Sequence, residues 1–155
     1  MTYRRLFMML LFSFLVVAGG CATHRINLTD TGHVTIENRS PGKVQILWSH
    51  AYEASGQFVV KGVLKRRDRG ATPIPAHVHV LVLSQANRIA QSLESAELYV
   101  RRNKTGKGNN WKRFKVCSEQ MPSPYSRLFV VAHTHNESQN DKELLSLLAV
   151  DSNDM

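Results

Sequence analysis

Hydrophobic residues recur at every second position through most of the middle of this chain, and that spacing constrains the fold more than any other feature. Val44 to Ala51 places Val44, Ile46, Trp48 and His50 on one face. Gln57 to Arg67 carries Phe58, Val60, Gly62 and Leu64 on one parity, with Val59 and Val63 on the other. Ala76 to Leu83 puts Val78, Val80 and Val82 on one side, and is the clearest case. A two-residue period is the signature of half-buried strands, because successive side chains point to opposite faces. Trp111 to Cys117 alternates again, and Arg127 to His135 is a closing apolar strand. Arg88 to Val100 reads as one long extended segment, although Gln91 to Leu98 also contains helix formers.

Turn residues separate these runs. Pro41-Gly42, Ser55-Gly56 and the Gly70, Pro73, Pro75 stretch mark loops. Six or seven strands spaced this way predict an all-β fold, a small antiparallel β-sandwich. The chain has 155 residues, which suits one domain with one core. No repeat of 20–50 residues is present, which argues against a solenoid.

The N-terminus has a different character. Met1-Thr-Tyr-Arg-Arg5 precedes an apolar run from Leu6 to Val17, then Ala18-Gly-Gly-Cys21. This is a charged region, a hydrophobic region and a small-residue cleavage site, which together form a signal segment. The apolar run is too short to span a bilayer comfortably as a helix. It resembles the signal of bacterial lipoproteins, whose box usually has Leu three residues before the Cys; here Ala18 stands there, with Val17 one place back. The resemblance implies cleavage before Cys21, acylation of its thiol and of the new amine, and hence a membrane anchor. Ala22 follows instead of Asp. In that family this implies the outer membrane, facing the periplasm.

The resulting division is a lipoprotein signal peptide (1–20, helical), a lipidated tether (21–31), a β-sandwich domain (32–138) and a C-terminal tail (139–155). Asp141 to Val150, with Leu144, Leu145, Leu147 and Leu148, could make a short helix in that tail. Only Cys117 remains as a second cysteine. No internal disulfide can then form, and the strand pattern reads Cys117 as a buried structural thiol.

Between Val60 and Val131 the order of segments is Val60-Lys-Gly-Val-Leu-Lys-Arg-Arg67, a loop, Ala76-His-Val-His-Val-Leu-Val-Leu83, Asn87-Arg-Ile-Ala90, Trp111-Lys-Arg-Phe-Lys-Val116, Pro124 and Leu128-Phe-Val-Val131. Across about residues 57–135 this resembles the small immunoglobulin- or transthyretin-like sandwich domains of uncharacterised proteobacterial exported lipoproteins. The resemblance implies a fold and no activity.

Formal charge is +8, and removing Arg4 and Arg5 with the signal, which carries no acid, leaves +6. Lys65, Arg66, Arg67 and Arg69 cluster, and so do Arg101, Arg102, Lys104 and Lys107, followed by Lys112, Arg113 and Lys115. Such groups attract anionic surfaces. Arg101, Arg102, Lys104 and Lys107 are the candidate contacts to anionic lipid or polysaccharide, beside an envelope protein partner of unspecified identity. No nucleic-acid-binding motif is present, and nucleic acid is not expected as a partner.

His77-Val-His79 and His133-Thr-His135 each place two imidazoles on one strand face. If those strands are neighbours, His77, His79, His133 and His135 converge on a site suited to Zn²⁺ or Cu²⁺. Against this stands a plain rim decoration. His24, His33 and His50 are scattered, and read as surface or satisfied polar residues. Trp48, Tyr99 and Trp111 read as core or rim. No nucleophile elbow, His-Glu-x-x-His or phosphate loop occurs, so no enzyme activity and no resident cofactor are expected. The expectation is a membrane-anchored periplasmic lipoprotein acting as an accessory or interaction module, with a periplasmic Zn/Cu binder as the alternative.

Overall fold

The computed structural model describes residues 25–68, 70, 72–101 and 111–134. The signal segment, Cys21, Arg102, Lys104, Lys107, His135 and the expected C-terminal helix lie outside the described residues.

Nine strands are described: β1 (Arg25–Asn27), β2 (Val34–Arg39), β3 (Val44–Ala54), β4 (Gln57–Arg66), β5 (Ile74–Leu83), β6 (Ile89–Glu94), β7 (Leu98–Val100), β8 (Trp111–Ser118) and β9 (Ser126–Thr134). They form two sheets. The first has the order β1-β3-β4-β8; the second runs β2-β9-β5-β6, with β7 also paired to β5. Every pairing is antiparallel except β2 with β9, which is parallel. The described residues thus form an all-β sandwich, as the period-2 pattern predicts.

The core is what that pattern encodes. Phe58, Val60, Leu64, Phe114 and Val116 from the first sheet meet Val78, Val80, Val82, Leu128 and Val130 from the second, all buried. Fully burying one such side chain is worth roughly 1.5–3 kcal/mol. β5 follows its predicted alternation without error: Ala76, Val78, Val80 and Val82 are fully buried, all turned inward.

Several expectations change. The stretch read as tether enters the sandwich at Arg25, where β1 pairs with the end of β3. Leu28 then drops into the core, and Asn27 Oδ1 accepts the amides of Thr29 and Asp30 to turn the chain. Ile26 and Leu28, the two large apolar residues of an otherwise polar stretch, are too weak a signal for a strand. The long segment Arg88 to Val100 is two strands, β6 and β7, divided at buried Ser95. Its amide donates to Val78 O at 2.9 Å and its hydroxyl accepts Val78 N at 2.9 Å, so one serine satisfies both backbone groups of Val78. This split, and the added β1, account for nine strands in place of six or seven.

In β3 the register shifts between Ile46 and Trp48. A bulge inserts an unpaired residue and moves everything after it to the other face. Val44 and Ile46 point inward before it; Ser49 and Ala51 do so after it. Trp48 and His50, expected beside Val44, face outward instead. Cys117 is also exposed, not buried, because Phe114 and Val116 take the inward parity of β8.

Candidate functional site

The bulge in β3 creates the first feature. With Trp48, His50 and Tyr52 turned outward, they share the outer face with Lys61 of β4 and with Arg113 and Lys115 of β8. The register aligns them in rows: His50, Lys61 and Lys115 across one, Trp48, Val63 and Arg113 across the next, and Tyr52, Val59 and Cys117 across a third. Asn27 joins the Tyr52 row from β1. The outward positions of β1, β3, β4 and β8 also include Arg25 and Lys65, and none of them is Asp or Glu.

Two concavities lie on this face. One of about 410 Å³ is lined by Trp48, Tyr52, Lys61, Gly62, Arg113, Phe114 and Lys115. The other, about 200 Å³, is lined by Arg25, Asn27, His50, Tyr52 and Lys61. Tyr52 and Lys61 border both, so the two make one trough. Gly62 is required at its floor: a side-chain carbon there would collide with the Trp48 carbonyl oxygen and the Phe114 ring. Tyr52 sits between two cations, Lys61 Nζ at 4.8 Å and Arg25 Cζ at 5.6 Å from its ring centre, distances at which a ring attracts a cation. The Trp48 and His50 rings lie 5.3 Å apart.

The second feature is on the opposite outer face. His77 and His79 project together from β5, and the register sets His77 opposite His133 of β9 and His79 opposite Glu94 of β6. Ring centres are 5.0 Å apart for His77 and His79, 5.6 Å for His77 and His133, and 5.2 Å for His79 and His133. Glu94 Oε1 lies 3.7 Å from His77 Nε2 and 3.5 Å from His79 Nε2. Three of the four histidines singled out in the sequence are therefore together, joined by a carboxylate that the sequence reading passed over. Glu94 could be found only from the β5–β6 register.

Other charged groups have structural work. Arg66, buried at the end of β4, forks onto Asp68, with Nη2 to Oδ2 at 2.9 Å, and also donates to Thr72 O. The hydrogen bond to Asp68 raises the guanidinium pKa, and Arg66 holds the Asp68 carboxyl below its ordinary value. A hydrogen bond to Glu97 raises the Tyr99 phenol. His33 meets the Pro122 carbonyl at 3.2 Å. Arg101, the described member of the predicted basic loop, is exposed just after β7. Trp48, Tyr99 and Trp111 are all surface residues, 38%, 57% and 51% exposed.

No protein-family model, curated protein or solved structure matches the chain.

Proposed function

We propose that this chain is a lipid-anchored, non-catalytic binding module of the bacterial envelope, and that the trough on its first sheet takes an anionic glycan chain. The observation that carries the second half is the set of outward cations Arg25, Lys61, Lys65, Arg113 and Lys115, with no acid at any outward position of their strands. Same-sign charge on a concave surface raises the local concentration of an oppositely charged partner. Trp48, 38% exposed, supplies a flat apolar face on which the C–H face of a sugar ring can lie, and Tyr52 holds Lys61 and Arg25 beside it. The trough's lining runs across all four strands, from Arg25 of β1 to Lys115 of β8, which suits a chain polymer.

The anchor half rests on Cys21 and the signal before it. Cys21 stands four residues before Arg25, and extended chain spans at most about 14 Å over that length. A membrane anchor would therefore hold the β1 edge of the trough near the bilayer surface. Two or more acyl chains hold a protein firmly where one does not. Mass spectrometry of the chain recovered from bacterial membranes should find Cys21 as an acylated first residue. A mature chain with an unmodified start, free in solution, contradicts the anchor.

Cys117 gives the test of the glycan reading. Its thiol is exposed in the Tyr52 row. Heparin serves as the anionic probe chain and dextran as the neutral control. Saturating heparin at low salt should slow alkylation of the Cys117 peptide at least fivefold, and dextran should not. The protection should fade as salt rises, since exposed charges are screened within about 10 Å at 0.1 M. An alkylation rate that heparin leaves unchanged overturns the reading.

A further inference from the structure

We infer that His77, His79 and Glu94 form a binding site for a borderline divalent transition metal, Zn²⁺ or Cu²⁺, with His133 at its edge. The site lies on the second sheet, facing away from the glycan trough, and does not depend on that reading.

The donor set comes first. Imidazole nitrogen with carboxylate oxygen suits zinc and copper. Both histidines project from one strand two residues apart, so the backbone alone keeps them on one face. Glu94 comes from the neighbouring strand at the register position of His79. Three ligands on two hydrogen-bonded strands are held by the sheet itself and need no ordered loop.

Distances come next. A tetrahedral ion with bonds of about 2.0–2.1 Å sets its ligand atoms about 3.3 Å apart. Glu94 Oε1 lies 3.5 and 3.7 Å from the two Nε2 atoms, and a ligand atom from each of the three residues falls within 4.8 Å of the others. Closing the set around an ion takes side-chain shifts of an ångström or so, within reach of torsion about Glu94, whose side chain is 55% exposed.

The third argument is an unsatisfied histidine. Among the described residues, His79 makes no hydrogen bond through either nitrogen. Its Nδ1 is buried without a partner, and its Nε2 faces the carboxylate at 3.5 Å. Its side chain is only 17% exposed. With no hydrogen bond engaging Nε2, that nitrogen's lone pair is open to an ion shared with Glu94, and Nδ1 carries the ring proton. A metal on Nε2 gives that nitrogen a strong partner and turns a long contact to Glu94 into a shared ligand. Three protein ligands would leave a fourth position, bordered by the His133 ring at 5.2–5.6 Å from the other two.

The test uses the full chain, stripped with chelator and titrated with zinc chloride by calorimetry. One Zn²⁺ per chain is expected, with heat that includes proton release, because ligands bind metal in their deprotonated forms. His79→Ala should weaken binding at least 100-fold and Glu94→Gln at least tenfold. His33→Gln, remote from the cluster, should bind as the parent does. Zinc should also raise the melting temperature of the parent chain, and raise that of Glu94→Gln by less at the same zinc concentration. Glu94 is exposed enough for its variant to fold, which a circular dichroism spectrum checks, so the proposal stays testable if His79→Ala does not fold. No uptake by the parent, or uptake that Glu94→Gln leaves unchanged, overturns the site.

Discussion

Phe58→Ala is expected to lower the stability of the domain by about 3–5 kcal/mol, the range for deleting a buried phenyl ring from a core. Phe58 is fully buried in β4, with Glu53 and Ser118 as its register neighbours. Backbone hydrogen bonding holds those neighbours in place, so the sheet cannot collapse into the space a ring leaves. The domain also has little in reserve. Cys117 has no disulfide partner, and natural domains are stable by only about 5–15 kcal/mol. Urea unfolding followed by circular dichroism should show a midpoint reduced by about a fifth or more, with the slope unchanged. Ile89→Ala, at a site 42% exposed, should stay within about 0.5 kcal/mol of the parent. A Phe58→Ala midpoint equal to that of Ile89→Ala would mean the two sheets do not share the core described.

Sequence periodicity recovers the layers of this fold because burial acts on alternate residues, and β5 and β9 each have a strongly apolar inward row. It fails where one residue breaks the count. Nothing in Gln45-Ile-Leu-Trp48 signals that Leu47 is skipped in the pairing, yet that skip turns Trp48 and His50 outward and makes the trough. The Cys117 reading fails differently: period-2 spacing gives two parities without saying which faces in, and Phe114 with Val116 outcompetes a thiol for the core. Lys61 did carry a signal, being a lone cation within the apolar run Phe58 to Leu64.

The histidine cluster was half legible. His-x-His spacing fixes two imidazoles on one face by strand geometry alone. That His77 would stand beside His133 depends on β5 pairing with β9, a contact between residues 56 positions apart. Glu94 depends on the turn between β5 and β6, where the register shifts between Val82 and Leu83. A one-residue slip there would send Glu94 to the inner face. Local sequence does not encode such registers; the packing of whole sheets selects them.

The claim on which the functional account turns is that cations on one sheet face hold an anionic glycan chain, and reversing those cations addresses it most directly. Lys61, Arg113 and Lys115 line the larger concavity from two adjacent strands. Arg113 and Lys115 are exposed and Lys61 is half-buried against Tyr52, so their replacement by Glu leaves the core untouched. A charge contact near 4 Å is worth about 1 kcal/mol in water, and reversal both removes the attraction and adds repulsion. For the triple variant Lys61→Glu, Arg113→Glu and Lys115→Glu, about 3 kcal/mol or more of binding energy should be lost, beyond 100-fold in affinity. The decisive measurement is heparin affinity at low salt for parent and triple variant, both shown folded by circular dichroism. The account predicts a loss of at least 100-fold with most of the salt dependence gone; equal affinities and equal salt slopes would contradict it.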